Sequence, residues 1–144
     1  MRIQAIPPAS PMHAGYVDWE SKRGKWSKRW LQLREHNLYL AKRDNVCLLK
    51  LISMMLHIFI LYAQGRDEVF LCSLSNFDAY FITRLYKSPR PFAFAVKSTD
   101  NLSFFENKAD YMHIFCCGEK EGSVWMEKIL VARVSAMFIS FFVS

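Results

Sequence analysis

The sequence predicts a mainly β domain, in which seven short antiparallel strands form a small barrel or sandwich and one C-terminal α-helix follows. Three observations predict it. Seven runs rich in β-branched and aromatic residues are separated by turn formers. Apolar and polar residues alternate within several of them. After the polar break Gly118-Glu119-Lys120-Glu121-Gly122-Ser123, the apolar spacing changes to a helical period. At 144 residues the chain has room for one domain, with a core large enough to fold without disulfides or a structural metal.

In chain order, residues 1–12 read as an irregular leader, because Pro7, Pro8 and Pro11 interrupt any periodicity. Strands are expected at Ala14–Glu20, Ser27–Glu35, Leu38–Arg43, Glu68–Ser73, Phe77–Arg84, Phe92–Ser98 and Tyr111–Cys117. In Trp30-Leu31-Gln32-Leu33-Arg34, Leu31 and Leu33 share one face and Gln32 and Arg34 the other, so that strand is half buried. The helix is expected from about Gly122 to Val134. Its buried stripe is Trp125, Ile129 and Ala132, with Glu127, Lys128 and Arg133 solvated. An apolar tail, 135–144, ends the chain.

A hydrophobic fraction of 52% against 22% charged residues excludes a disordered or fibrous chain. The four cysteines, Cys47, Cys72, Cys116 and Cys117, form no C-x-x-C pair, and Met1–Pro11 lacks the apolar core of a signal peptide. A reducing, cytoplasmic setting is expected. Cys116 and Cys117 sit next to each other in a strand and so point to opposite faces, which makes them a poor metal pair. His13, His36, His57 and His113 have no partner at ligand spacing. Asp78, Asp100, Glu106 and Asp110 have no paired carboxylate for general acid/base work. The nucleophile-elbow, zinc-protease and phosphate-loop signatures are all absent. No enzyme activity, cofactor or metal is therefore expected.

The charge is local. Between Ser21 and Arg43 lie eight basic residues (Lys22, Arg23, Lys25, Lys28, Arg29, Arg34, Lys42 and Arg43) against the single acid Glu35. That stretch carries +7 while the whole chain carries +6, which leaves the remainder at −1. A basic patch on a neutral body points to an anionic partner met at one end of the fold.

Gly15-Tyr16-Val17-Asp18-Trp19 followed by Lys25-Trp26-Ser27-Lys28-Arg29-Trp30-Leu31-Gln32-Leu33 resembles the first hairpin of pleckstrin-homology (PH) domains, and Trp125 resembles that family's helix tryptophan. More closely, Asn37-Leu38-Tyr39, Lys87-Ser88-Pro89, Phe92-Ala93-Phe94-Ala95-Val96-Lys97 and Trp125-Met126 to Ala132-Arg133 resemble the PH half of Ras-associating/PH adaptors, the lamellipodin-like proteins and their fungal relatives. The resemblance covers 13–134 apart from one stretch. It implies a seven-stranded, partly open barrel of two antiparallel sheets capped by the helix. It also implies a non-catalytic module that targets a larger signalling or cell-cortex protein to the membrane periphery, with a Ras-associating domain elsewhere in that protein.

The implied lipid-binding residues are Lys22, Arg23, Lys25, Lys28 and Arg29 in the hairpin, with Tyr39, Lys42 and Arg43 lining the same mouth. The partners implied are anionic membrane lipids with phosphoinositide-type head groups. The chain departs from the strong binders by placing Trp19 and Glu20 where they carry a lysine, and Ser27-Lys28-Arg29 where they carry basic-any-Arg. Weak binding is therefore expected, and a PH domain that binds a protein partner without lipid is the alternative. Basic residues interleaved with Trp19, Trp26 and Trp30 would also suit single-stranded nucleic acid. No nucleic acid is expected, because these aromatics read as partly structural.

The exceptional stretch is 46–64, where the family has a short turn. It is rich in Leu, Ile, Met and Phe, with Lys50, Ser53 and His57 interspersed. We read it as a translated intron, since Val46-Cys47 can be encoded by GTATGT and Gln64 by CAG; Val134-Ser135 can likewise be encoded by GTGAGT. A surface helical insertion and a membrane anchor are the alternatives. An anchor would place two strands of one sheet on opposite sides of a bilayer.

Overall fold

The computed structural model describes residues 11–42, 68–84 and 87–143. The segment 46–64, Arg43 and most of the leader lie outside the described residues. The strands are β1 (His13–Lys22), β2 (Lys25–Arg34), β3 (Asn37–Ala41), β4 (Glu68–Ser73), β5 (Phe77–Ile82), β6 (Phe92–Ser98) and β7 (Met112–Cys117), followed by α1 (Glu119–Val143). Short 3-10 turns at Leu102–Phe104 and Lys108–Asp110 lie between β6 and β7.

All seven strands belong to one antiparallel sheet of order β4-β3-β2-β1-β7-β6-β5. The two expected sheets are its two halves. They are joined only where the long β1 pairs with β7, through Asp18↔Cys116 and Trp19↔Phe115. Beyond Trp19 the two strands part.

Alternation sets which side chains enter the core between the two halves, although β6 and β7 are buried on both faces. Val17, Leu31, Leu33, Leu38 and Leu40 line the inner face of one half, with Leu31 opposite Leu40 and Leu33 opposite Leu38. Phe94, Val96, Phe115 and Cys117 line the inner face of the other. The helix closes the space between them. Trp125 is 1% exposed and Ile129 and Ala132 are fully buried, while the His13 ring meets Trp125 edge-on at 4.5 Å. The first turn of α1 approaches the sheet at Gly122, where any added Cβ would run into the Phe92 ring. Only glycine permits that approach.

The helix is longer than expected. It starts at Glu119 and runs to Val143, and Ala136 continues the buried stripe of Trp125, Ile129 and Ala132. Residues expected as a tail therefore begin as helix, with Leu130, Val134, Met137 and Phe141 exposed on the side away from the core.

Arg133 corrects a second expectation, because it is not solvated. Its Nη1 donates to the Leu74 and Phe77 carbonyls, each at 2.9 Å, and its Nε lies 3.5 Å from Asp78. The guanidinium thereby satisfies backbone acceptors in the β4–β5 turn that the sheet leaves over.

The β2–β3 turn is built on Glu35 and His36, both at positive φ, 51° and 67°. A two-residue turn of this kind matches the twist of the flanking strands but disfavours non-glycine residues. Contacts hold it in place: the His36 carbonyl accepts from Leu74 N at 2.8 Å, and His36 Nε2 bonds the Ser135 hydroxyl at 3.0 Å.

Candidate anionic-surface site at the β1–β2 hairpin

The hairpin carries its charge at a tight tip. Glu20 faces Trp26 and Lys22 faces Lys25, with a register irregularity between Glu20 and Lys22, and Arg23-Gly24 makes the turn. Gly24 supplies the positive φ of 76°, and its N–H donates to Glu20 Oε2 at 3.1 Å. Lys22, Arg23 and Lys25 are exposed. Two lysines directly opposite one another repel. The described ion pairs, Arg34–Glu68, Arg90–Asp18 and Arg133–Asp78, leave Lys22, Lys25 and Lys28 without a carboxylate partner among the described residues.

Period-two geometry separates residues that are adjacent in sequence. Arg29 is in register with the buried Val17, so it points to the inner side of the sheet, where its guanidinium lies 5.8 Å from the Trp19 ring. Lys28 is in register with Asp18 on the outer side, its Nζ 4.4 Å from the centre of the Tyr16 ring, which in turn meets Trp30 at 4.9 Å. Asp18 is itself held by Arg90 at 3.2 Å. Lys28 and Arg29 therefore cannot grip one head group together.

Tyr39 is not brought to the tip. It faces outward between the buried Leu38 and Leu40, with Arg34 over its ring at 3.8 Å and Phe70 5.8 Å away. Arg34 is held there by Glu68, which keeps its guanidinium pKa above the usual value. Lys42 follows β3 and is exposed.

Where β1 and β7 part, a cleft of about 270 Å³ opens beside the tip. Trp19, Glu20, Lys22 and Arg23 form one wall, and Lys108, Met112 and His113 form the other. Sequence reasoning missed Lys108, which the second 3-10 turn, packed on β7, brings to the cleft. Nothing in its local sequence marks it, apart from its being a cation just before the last strand.

The three described cysteines offer no reactive centre. Burial pushes Cys72 up to about 12 and Cys117 up to about 11, and it raises Cys116 as well, so all three stay as thiols. Among the described residues no group of three or more His, Cys, Asp or Glu could hold a metal. Nor is any helix among them long and apolar enough to cross a membrane.

A single antiparallel sheet of seven strands, bent into an open barrel and closed by one C-terminal helix, is the pleckstrin-homology fold, and comparison with solved structures gives the same result. The chain is similar to the coiled-coil, RA and PH domains of lamellipodin at TM-score 0.58 and 16% identity, covering 94% of this chain and 45% of that one. It is also similar to the Slm1 PH domain, at 0.55 and 14% over 84% of this chain and 96% of that one. A third similar structure is the pleckstrin homology domain of the human KIAA0053 protein, at 0.53 and 15% over 92% and 94%. The chain thus spans less than half of the lamellipodin chain it matches. The Slm1 domain has also been solved in complex with inositol-4-phosphate, and in that form it matches at TM-score 0.52. No protein-family model and no curated protein matches the sequence.

Proposed function

We propose that this chain is a non-catalytic adaptor module. Its β1–β2 hairpin meets anionic membrane lipid of the phosphoinositide type, and it thereby recruits a larger signalling or cell-cortex protein to the periphery of the cytoplasmic leaflet. The observation that carries this is the cluster of Lys22, Arg23 and Lys25 at one exposed tip, beside a cleft that adds Lys108. Exposed cations crowded at one tip gain from an external anion, and their bonds to phosphate are charge-assisted. The inositol-4-phosphate complex of the similar Slm1 domain supports the choice of ligand class.

Binding is weak. At about 1 kcal/mol per basic residue near an anionic leaflet, five hairpin cations contribute on the order of 5 kcal/mol. That corresponds to a dissociation constant of roughly 0.2 mM. A second module or oligomerisation of the parent protein would supply the avidity.

The test is cosedimentation with vesicles of phosphatidylcholine, phosphatidylserine and phosphatidylinositol 4-phosphate. Replacing Lys22, Lys25, Lys28 and Arg29 by glutamine should abolish binding and leave the melting temperature unchanged. Arg29→Gln should cost more than Lys28→Gln, because only Arg29 faces the inner side of the sheet. Native binding should also fall steeply with salt, since exposed charges are screened within about 8 Å at physiological ionic strength. Full affinity in the fourfold variant would transfer the function to a protein partner.

A further inference from the structure

His113 is a buried titratable group that faces the cleft. It is 9% exposed, sits opposite Val96 on β7, and stacks on Phe77 at 6.2 Å with its ring tilted by 26°. It lines the same cleft as Lys22, Arg23 and Lys108. The charged groups around it are Glu20, Lys22 and Arg23 from the end of β1 and its turn, and Lys108 and Asp110 from the second 3-10 turn. From β5 the ring meets Phe77 and from β6 it lies opposite Val96, neither of which carries charge. Glu20 also accepts the Gly24 N–H, which ties it to the turn.

We propose that this cleft is a proton-linked anion pocket: a phosphate ester seated among Lys22, Arg23 and Lys108 draws a proton onto His113, so affinity rises as the pH falls below neutrality. The proposal rests on the anionic-surface reading above and adds a regulatory group to it. Burial holds His113 below its ordinary value, with Asp110 pulling the other way, so the ring is neutral near pH 7. A bound anion supplies the opposite charge that the imidazolium lacks. Linkage is reciprocal: if the anion favours protonation, protonation favours the anion by the same factor. A rise of about one unit in the His113 pKa on binding is worth about tenfold in affinity at the acid end. Without ligand the sign is reversed for stability. A histidine whose folded value lies below its unfolded one binds fewer protons when folded, so the fold loses stability as the pH drops through that window, and the anion offsets the loss.

The experiment uses the full chain and two probes. Inositol hexasulfate is a soluble phosphate-ester analogue whose sulfate esters do not titrate in this range, and vesicles containing phosphatidylinositol 4-phosphate test the lipid source. Calorimetry with the hexasulfate between about pH 5 and 8 should show native affinity rising about tenfold on acidification and His113→Gln affinity staying flat. On vesicles, the ratio of native to His113→Gln affinity should rise in the same way, because the ratio cancels the head group's own ionisation near pH 6. Should the variant fold poorly, the NMR titration of the native His113 ring decides, with its pKa expected to rise by about one unit when the hexasulfate is bound.

A flat native profile, equal slopes in the two proteins, or an unmoved His113 titration overturns the proton link and leaves the anionic-surface reading standing. Hexasulfate binding with the expected slope but no vesicle binding supports the pocket and assigns it to soluble phosphate esters, which overturns the lipid reading. Failure of the native protein to bind either probe at any pH overturns both.

Discussion

The helix-closed side of this domain and its hairpin tip are built from opposite materials. On the closed side, Trp125, Ile129 and Ala132 fill the space between the halves of the sheet, and each is held by burial on several sides. At the tip, Lys22, Arg23 and Lys25 are exposed and crowd one another, and no described ion pair holds either lysine. Exposed charges contribute little to stability even when paired, whereas buried aromatic area contributes several kcal/mol. The comparison separates two roles: one region holds the fold, and the other is available to a ligand because the fold does not depend on it.

The largest effect that would break this division is on the closed side. Trp125→Ala removes the largest fully buried side chain and leaves a cavity between α1 and the sheet. It should cost about 3 kcal/mol or more, measured by urea denaturation. A loss below about 1 kcal/mol would mean that the helix does not close the barrel. The fourfold hairpin variant is the control, since its unfolding midpoint should not move.

Arg133 sharpens the comparison, because it is a cation that does belong to the fold. Two of its bonds go to backbone carbonyls, at Leu74 and Phe77, and its side chain is only 13% exposed. Arg133→Met keeps the aliphatic bulk but leaves both carbonyls short of a donor, and should cost on the order of 2 kcal/mol. The Asp78 contact, at 3.5 Å and partly in water, adds little. If the variant is as stable as the native chain, Arg133 belongs with the solvated cations that its sequence position suggested.

Which parts were legible in the sequence follows the same division. β4 and β6 match their expected bounds to the residue, because compact apolar and aromatic runs with flanking turn formers mark both ends locally. The buried stripe of α1 was legible from helical spacing for the same reason. The lengthening of β1 and β2 into the tip was not, because it depends on the pairing of Lys22 with Lys25, and charge alone argues against that pairing. The site was less legible than the core. Strand alternation could have separated Lys28 from Arg29, and it could have turned Tyr39 outward between Leu38 and Leu40. Lys108, His113 and the clamp by Arg133 are products of chain crossings between residues distant in sequence, and no local pattern encodes them.

The smallest effect concerns Trp26, which lies on the boundary between the two regions. It sits opposite Glu20 in the hairpin, half buried, and its Nε1–H is shielded from water with no hydrogen-bond partner among the described residues. Such a donor costs on the order of 1 kcal/mol or more to bury, and an apolar ring of similar shape avoids that cost. Trp26→Phe gives up some contact area in exchange, worth about 25 cal/mol for each Å² no longer buried. The two terms nearly cancel, so the variant should lie within about 1 kcal/mol of the native chain and keep its vesicle binding. Thermal denaturation followed by circular dichroism, with vesicle cosedimentation on the same samples, checks both. A loss above about 2 kcal/mol, at the scale of a large core truncation, would place Trp26 in the core and shorten the region available to a ligand to the three residues of the tip.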